Sequence, residues 1–512
     1  MRKFNTTGNC MPDRHYMIDI SNKINKISRM VDEEKYFTIN RARQYGKTTT
    51  LDLLEIRLIE SGYTVAYLSF EGLSNNYFAD PESFCRMFME KMRDYLHDDT
   101  WYDENVDDFK PLGDHIGKMC GLKKIVLFID EVDITSNNLI FLYFLGMLRN
   151  KYLKRNKFPA FHSVILTGVT DIKNIKYRMV EKGMTVLGNN EGSHNSPWNI
   201  AADFDVDMSF SPEEIATMLR QYEEDHCTGM DIMAISEEIY SYTSGYPYMV
   251  SRLCQHIEEK LERDWTMQGI QEAVKILLAE KNTLFDDMSK NLENYPELYN
   301  FIYEIIIVGN GKSYQIDNPV IHFGVMFGYL KDCDGRVAIS NRIFELRMSN
   351  YFISKDETSG VKKRLIPIQS DIIRNNIFDM QLCLEKFAAH FKEIYNPAED
   401  AEFLERHCRM LFLSYLKSLI NGRGFYHMES QLDDYRRMDI VVDYGKKQFI
   451  VELKRWYGDG AHTKAYDQLL GYMEARGACE GYLLTFNFSK NPKFYEPKWI
   501  EINGRRIFDI IV

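Results

Sequence analysis

Short apolar runs alternate with helical patterns through the first part of the chain. Residues 36–39, 124–130 and 163–167 are rich in β-branched and aromatic side chains, which predicts buried strands. Residues 51–58 carry leucines at helical spacing soon after the first of these runs. Because strands that alternate with helices form parallel sheets covered by helices, residues 1–200 are predicted to form an α/β core.

After this core the pattern changes. Residues 201–350 are mostly helical, with one short apolar strand at 336–339. Residues 351–395 hold the most linker-like stretch of the chain, at 355–360, followed by a connecting helix. The sequence therefore predicts a helical region with a small sheet, and then a linker.

The last part of the chain, residues 396–512, returns to alternating helices and strands. The predicted elements are a helix at 402–419, strands at 425–429, 437–442 and 448–454, a helix at 463–473 and a strand at 481–486. This αβββαβ order predicts a separate domain.

Length and charge limit the classes of function. A chain of 512 residues is long enough for about three domains. Its 63 basic and 75 acidic side chains give a net charge of -12, which argues against a general basic coat for nucleic acid. A local basic groove stays compatible with that charge, because affinity for phosphates depends on clustered lysines and arginines.

The cysteines and the apolar segments of the sequence bear on the cellular compartment of the protein. The nine cysteines are scattered singly without a C-x-x-C pair, so neither a disulfide framework nor a zinc site is predicted. The N-terminal residues lack the apolar stretch of a signal peptide, and no segment approaches the ~18 apolar residues of a membrane span. We expect a cytoplasmic protein with no membrane partner.

A phosphate-binding loop is predicted between the first strand and the helix that follows it. Gly46, Lys47 and Thr48 match the end of the G-x-x-x-x-G-K-[ST] pattern, with Thr49 beside them. In this pattern glycine lets backbone N–H groups approach the phosphates, lysine reaches the β and γ oxygens, and threonine binds Mg²⁺. Arg41 stands where the pattern has its first glycine. The loop predicts a bound nucleoside triphosphate with Mg²⁺.

Asp130 and Glu131 end the second apolar run and have the layout of a Walker B segment. Asp130 would act on Mg²⁺ directly or through a water, and Glu131 could polarise the attacking water as general base. The alternative is a core strand whose acids face solvent. The phosphate loop upstream, at the spacing of a nucleotide-binding domain, favours the Walker B interpretation.

The two motifs resemble the AAA-ATPase-like family. That family typically has Arg-Pro-Arg-Arg-x-Gly-Lys at the phosphate loop, which accounts for Arg41, although Ala42 and Gln44 replace its proline and its second loop arginine. The resemblance implies ATP and Mg²⁺ as cofactors and a P-loop parallel-sheet ATPase core. It also implies a helical lid and a winged-helix-like region over 201–350.

The same resemblance adds three site candidates. Thr167 ends its strand where AAA-type ATPases keep a γ-phosphate sensor. Pro247 belongs to a Gly-x-Pro segment that lies near the nucleotide base in related NTPases. Arg252, in the following helix, could reach the γ-phosphate as a second sensor, and an ordinary surface arginine is the alternative.

Two carboxylates and a lysine form a second candidate site near the end of the sequence. Glu452 and Lys454 lie two residues apart on a predicted strand, so they point to the same face. Asp439 on the preceding strand enters the same cleft if the two strands pair through the turn at 443–445. Paired carboxylates hold a hard cation such as Mg²⁺, which lowers the pKa of a bound water and neutralises charge on a phosphodiester. With Lys454 positioning that water, the pattern predicts phosphodiester hydrolysis.

These residues and the αβββαβ order resemble the PD-(D/E)XK nuclease superfamily, in the version fused to AAA-ATPase-like domains. The resemblance implies that Gln468 is the family's helix glutamine and that Glu405 is an accessory acid. Arg436 departs from the pattern, in which glycine is common, but leaves the Arg-x-Asp portion intact. The implied partner is nucleic acid, DNA in preference to RNA.

Two classes of function follow. The first is an enzyme that binds and hydrolyses ATP and cleaves nucleic acid, with the nucleotide state controlling cleavage. The second is an ATP-dependent switch or sensor whose nuclease-like tail binds nucleic acid or protein without cutting. A purely stabilising role for ATP and a homo-oligomer both stay open. We expect the enzyme, because both sets of motifs are complete in one chain.

Overall fold

The computed structural model describes residues 2–134, 138–169, 198–308, 311–358, 369–375, 377–394, 404–420, 424–428, 439–445, 447–488 and 495–512. These residues form two compact units. Unit 1 comprises Met1–Ile270 with Met326–Gly328, and unit 2 comprises Gln271–Val325 with Tyr329–Val512. The boundary between the two units, at residues 270 and 271, falls within the range 201–350, which was predicted to be one region.

Unit 1 is built on a four-stranded parallel sheet with the strand order β1-β4-β3-β2. The strands are β1 (Tyr36–Asn40), β2 (Thr64–Ser69), β3 (Ile125–Asp130) and β4 (Ser163–Gly168). The helices are α1 (Ser21–Asp32), α2 (Lys47–Glu60), α3 (Pro81–Leu96), α4 (Phe109–Cys120), α5 (Leu139–Leu153), α6 (Pro212–His226), α7 (Ile232–Thr243) and α8 (Pro247–Lys260). Every residue of β3 and β4 is buried, which is typical of central parallel strands.

Helices cover both faces of this sheet, because successive strand residues point to opposite sides. Ile125, Leu127 and Ile129 of β3 join a hydrophobic core with α3, α4 and α5. Val126 and Phe128 of the same strand join a second core with α1 and α2. The predicted parallel-sheet core is confirmed.

A close backbone approach fixes the start of α8. Gly245 has a φ of +71°, and a Cβ at this position would lie 2.0 Å from the carbonyl oxygen of Phe210. The N–H of Phe210 donates to the carbonyl of Gly245 at 2.9 Å. Ser211 and Glu214 form the capping box that their spacing predicts at the start of α6. Pro247, two residues after the glycine, therefore has a defined position.

Unit 2 begins with helices and a small hairpin. Its helices are α9 (Met267–Ala279), which starts in unit 1, α10 (Thr283–Asn294), α11 (Pro296–Tyr303), α12 (Pro319–Met326), α13 (Arg342–Thr358), α14 (Gln369–Ile372), α15 (Met380–Ile394), α16 (Leu404–Ile420) and α17 (Asp459–Ala475). Strands β5 (Leu330–Cys333) and β6 (Arg336–Ile339) pair antiparallel, as do the short β7 (Ile373–Arg374) and β8 (Ile377–Phe378). The predicted strand at 336–339 is confirmed, and the winged-helix likeness stays a prediction.

A six-stranded mixed sheet forms the second half of unit 2. Its strands are β9 (Gly424–Met428), β10 (Asp439–Tyr444), β11 (Lys447–Arg455), β12 (Glu480–Phe486), β13 (Lys498–Ile502) and β14 (Arg505–Ile511). They lie in the order β13-β14-β12-β11-β10-β9, so β14 is between β12 and β13. Strands β9, β10 and β11 pair antiparallel, whereas β11, β12 and β14 pair parallel.

Helix α17 packs on one face of this sheet. Its residues Leu469 and Met473 contact a core with Ile450, Leu483 and Ile507 from three strands. The chain thus runs through α16, β9, β10, β11, α17 and β12 in the predicted order, and the β13–β14 hairpin is an addition to it. In the described residues, no helix combines the length and apolarity that crossing a membrane requires.

Candidate functional site

The first candidate site lies where β1 ends and α2 begins. Gly46 precedes α2 with a φ of +75°, and Gln44 has a φ of +56°, so the loop turns through two left-handed positions. A Cβ on Gly46 would lie 3.9 Å from Pro247, which places the Gly-x-Pro segment against the loop. The loop leads directly into the N-terminus of α2, where backbone N–H groups and the helix dipole favour an anion.

Lys47 is folded over this loop. Its Nζ donates to the carbonyl oxygens of Arg41 and Ala42, at 3.0 Å each. Burial lowers the pKa of Lys47, and the carboxylates of Asp133 and Glu131 oppose that shift. The ammonium is therefore held by backbone acceptors at the place where the loop would receive phosphate oxygens.

Asp130 is the centre of a hydrogen-bond cluster. It is 3% exposed and accepts hydrogen bonds from Thr48 at 3.2 Å, from Tyr67 at 2.7 Å and from Thr167. The predicted residues Thr48, Asp130 and Thr167 are thus brought together. Tyr67 was not predicted: it lies on β2, and no motif in a single sequence links that strand to Asp130.

Glu131 follows Asp130 in a left-handed conformation, with a φ of +57°. Its backbone N–H donates to Asp130 Oδ1 at 2.9 Å. Burial and then the charge of Asp130 raise the pKa of Glu131. A carboxyl group with a raised pKa is a better proton acceptor near neutral pH, as a general base requires.

A cavity of about 700 Å³ opens over the loop, and every residue that lines it belongs to unit 1. Lys47, Thr48, Thr49 and Glu131 line one side of it, and residues 5–10 line another. These N-terminal residues are tied down by hydrogen bonds from Asn9 to Asp52 and from the Cys10 N–H to Thr49. Their part in the cavity was not predicted, because their pattern contains no phosphate or base motif.

Two predicted arginines make other contacts. Arg41 donates to the carbonyl of Val206 at 2.8 Å and lies 5.3 Å from the ring centre of Phe204. Arg252 donates to Gln255 at 2.8 Å, and Pro247 rather than Arg252 is among the described residues that line the cavity. Arg41 therefore anchors the loop to the segment before α6.

A family model covers the segment that contains the phosphate loop. The model described as the AAA-like domain matches residues 26–350, more than half of the chain. The chain belongs to the AAA-like domain family. No curated protein is similar enough to count as a match.

Three solved structures are also similar to this AAA-like protein. The Walker-type ATPase of Pyrococcus abyssi is 11% identical, with 67% of this chain and 99% of that chain covered and a TM-score of 0.46. The ORC2 protein of Aeropyrum pernix, solved as ADPNP and ADP complexes, is 12% identical, with 69% and 98% covered and a TM-score of 0.40. Cdc6p of Pyrobaculum aerophilum is 11% identical, with 68% and 97% covered and a TM-score of 0.33. The TM-scores are low, and family membership rests on the match to residues 26–350.

The second candidate site lies in unit 2, beyond the AAA-like match. Asp439 of β10 is the direct partner of Glu452 of β11 in the antiparallel register. Positions directly opposite each other share a sheet face, and Lys454 shares it too, two residues after Glu452. The strand pairing that the sequence analysis required is therefore present. We call Asp439, Glu452 and Lys454 the sheet-face site.

Glu452 is buried at this site, with an exposure of 1%. Its Oε1 is paired with the ammonium of Lys454, whereas Oε2 accepts no hydrogen bond from the described residues. Burial raises the pKa of Glu452, and the charges of Lys454 and Arg409 oppose that shift. Among the described residues, hydrogen bonding thus satisfies only one of the two oxygens of this buried carboxylate.

The two other residues predicted for this site, Gln468 and Glu405, are not shown to join it. Gln468 is exposed on α17, next to the buried Leu469. Glu405 lies within α16, and its side chain, like that of Asp439, is outside the described residues. In the part of the chain that is described, no group of three or more His, Cys, Asp or Glu residues is arranged to hold a metal.

Proposed function

We propose that unit 1 binds and hydrolyses ATP, that the sheet-face site of unit 2 is a Mg²⁺-dependent nuclease centre, and that the nucleotide state controls cleavage. One observation carries the ATPase part of the proposal: Lys47, Thr48 and Glu131 line one cavity, with Asp130 bonded to Thr48. The register between Asp439 and Glu452 supports the nuclease part.

The residues of unit 1 have separate roles in ATP hydrolysis. The N-terminus of α2 and Lys47 would bind the phosphates, with Lys47 exchanging its two carbonyl acceptors for phosphate oxygens. Glu131 would accept a proton from the attacking water. Thr167 would hold Asp130 in place through its hydroxyl.

The oxygen atoms of Thr48 and Asp130 suit a magnesium ion. A threonine hydroxyl and a carboxylate are hard oxygen ligands, and Thr48 and Asp130 would hold the ion together with phosphate oxygens. Bound there, Mg²⁺ neutralises negative charge on the β- and γ-phosphates.

The sheet-face site also fits a divalent cation. A buried carboxylate oxygen without a hydrogen-bond partner is costly, and a cation offers it a partner. Asp439 and Glu452 would hold Mg²⁺, which supplies a water of lowered pKa and neutralises charge on the phosphodiester. Lys454 would orient the scissile phosphate.

A cleavage panel tests the proposal. Labelled single-stranded and duplex DNA and RNA are incubated with Mg²⁺ or Mn²⁺, without nucleotide, with ATP, and with a non-hydrolysable analogue. We expect wild type to cut at least one substrate, DNA before RNA, and Asp439→Ala to lose cleavage while keeping ATP hydrolysis. Absence of cutting in every condition would refute the nuclease. If Lys47→Ala cuts like wild type in every nucleotide condition, the coupling is wrong.

A second candidate function is an ATP-dependent switch whose sheet binds nucleic acid or protein without cutting it. The exposed position of Gln468 favours it, because a catalytic glutamine is expected to face the carboxylates. In this case Asp439→Ala leaves binding and function in a cellular assay unchanged. Both candidates are compatible with a homo-oligomer, and the nine cysteines, none of which forms a disulfide, are compatible with a reducing cytoplasm.

A further inference from the structure

Exposed aromatic side chains are concentrated just past the end of β11. Tyr457 is 64% exposed and Tyr495 is 46% exposed. Among the described residues of unit 2, no other tyrosine, phenylalanine or tryptophan side chain is exposed. Trp456 joins them, because its ring centre lies 6.2 Å from that of Tyr495 and it precedes Tyr457 in the chain. We call Arg455, Trp456, Tyr457 and Tyr495 the aromatic platform.

The platform is supported from inside the unit. Trp456 lies 5.0 Å from the ring of His462, and His462 Nε2 is 3.1 Å from Asp509 on β14. The backbone N–H of Trp456 donates to Phe486 at 2.9 Å. The inner side of the platform is thus fixed to the sheet, while the tyrosines present ring surface to solvent.

One guanidinium lies against the platform. The guanidinium of Arg455 lies 5.3 Å from the ring centre of Tyr457, within the range of a cation–π contact. Residues 454–464 contain three lysine or arginine residues against one acid, Asp459, although the whole chain has a net charge of -12. Glu496, beside Tyr495, is a further exposed acid. Arg455 beside an exposed ring suits a ligand that combines a phosphate with a flat apolar face.

The platform is close to the sheet-face site along the same strand. Glu452, Lys454 and Arg455 follow one another on β11. At roughly 3.3 Å per strand residue, Arg455 lies about 10 Å from Glu452. Because side chains alternate faces along a strand, Arg455 leaves β11 on the face opposite Lys454, and a chain bound at the platform would reach Lys454 around the end of the strand.

We propose that the aromatic platform stacks an unpaired base of a single-stranded nucleic acid and so selects single strands for the sheet-face site. Stacking on exposed aromatic rings needs a base whose face is free, and a paired base inside a duplex hides both faces. Arg455 holds the adjoining phosphate. The inference rests on the proposed nuclease function, and it adds the strandedness of the substrate.

Equilibrium binding in EDTA tests the platform without cleavage. The probes are a fluorescent oligothymidylate and a duplex of the same length, measured by anisotropy. Tyr457→Ala should weaken single-strand binding by roughly 5- to 100-fold, the range for losing one stacked base, and change duplex binding less than about 2-fold. Tyr457→Phe keeps the ring and should bind within about 2-fold of wild type. Arg455→Gln should reduce the salt dependence of single-strand binding by about 0.7 in log–log slope.

The controls separate this inference from the proposed function. Tyr143→Ala removes an exposed tyrosine of unit 1 and should leave both affinities unchanged. The platform is refuted if Tyr457→Ala binds single strands like wild type, or loses single and double strands equally. If wild type still cleaves nucleic acid in those cases, the nuclease proposal survives alone. If wild type binds neither probe and cleaves nothing, both fail.

Discussion

The phosphate-loop site of unit 1 and the sheet-face site of unit 2 each contain a buried carboxylate, but the two carboxylates have different surroundings. Asp130 accepts hydrogen bonds from three hydroxyl groups. Glu452 has one oxygen paired with Lys454 and one with no partner among the described residues. The first carboxylate is therefore stabilised by its own fold, whereas the second depends more on what binds beside it.

This difference indicates how each unit should respond to a missing ligand. A satisfied carboxylate keeps its position before the nucleotide arrives, which limits the reorganisation needed for hydrolysis. A half-satisfied one raises the energy of the empty site and favours cation binding. We therefore expect substitutions at the site of unit 1 to reduce activity. We expect a substitution of Glu452 in unit 2 to reduce activity while keeping or raising stability.

The largest expected effect is on ATP hydrolysis. Lys47→Ala removes the ammonium from the phosphate loop and should reduce the rate by at least roughly 100-fold, because charge developing on the phosphates loses its partner. Phosphate release is the measurement. Lys157→Ala, an exposed lysine of the same unit, should hydrolyse ATP like wild type. An active Lys47→Ala would show that the loop does not bind phosphates.

The next largest expected effect is that of a substitution at the sheet-face site. Glu452→Gln should reduce metal-dependent cleavage by roughly 100-fold and leave ATP hydrolysis unchanged. The melting temperature should stay constant or rise, because the raised pKa of Glu452 shows that burial disfavours its charged form more than Lys454 favours it. Cleavage, phosphate release and calorimetry are compared with Glu501→Gln, an exposed glutamate on β13. A lower melting temperature for Glu452→Gln alone would mean that its pair with Lys454 stabilises the sheet, and would break the contrast with Asp130.

A third prediction concerns the backbone that positions Pro247 at the cavity. Gly245→Ala should reduce the free energy of unfolding by about 3 kcal/mol, because the new Cβ meets the backbone of Phe210. Gly229→Ala has a similarly positive φ with open space around it, and should cost about 1 kcal/mol. Urea unfolding and nucleotide titration measure both. Equal costs would show that Phe210 moves aside and that the site is less rigid than the hydrogen bonds indicate.

The smallest expected effect belongs to Tyr67. Its hydroxyl donates to the same Asp130 oxygen as Thr48, so it competes with a cation for that oxygen. Tyr67→Phe should lower the Mg²⁺ concentration for half-maximal ATP hydrolysis by about 3-fold and reduce stability by about 1 kcal/mol. Tyr63→Phe removes a similar bond, to Asp32, away from the cavity. An unchanged Mg²⁺ requirement would assign Tyr67 a purely structural role.

Local patterns were enough to predict much of the fold. The run at 163–167 became β4, Ser163–Gly168, because a fully buried parallel strand must be apolar throughout. The run at 448–454 became β11, Lys447–Arg455, for the same reason at its centre. That Lys47 and Thr48 line one cavity was also predictable, since the phosphate-loop pattern specifies residue type and spacing within a few positions.

Contacts between distant segments could not be predicted in this way. Tyr67 meets Asp130 only because β2 and β3 are neighbours in the sheet. The strand β13, Lys498–Ile502, lacks the alternation of buried and exposed residues that would reveal it. Gln468 matches a motif, yet it is exposed beside Leu469, because helix phase depends on which residues the sheet buries.

The position of β14 has a consequence for the order of events during synthesis. Because β14 lies between β12 and β13, the sheet of unit 2 is incomplete until residue 511 has left the ribosome. At roughly 5–20 residues per second, about 10–50 s separate the emergence of residue 270 from that moment. At the start of this interval the nascent chain has the four strands of its ATPase sheet and none of the six strands of the proposed nuclease, of which β14 is the last to be made. A chain whose translation stops before residue 439 would thus contain the residues proposed to bind ATP and none of the sheet-face site.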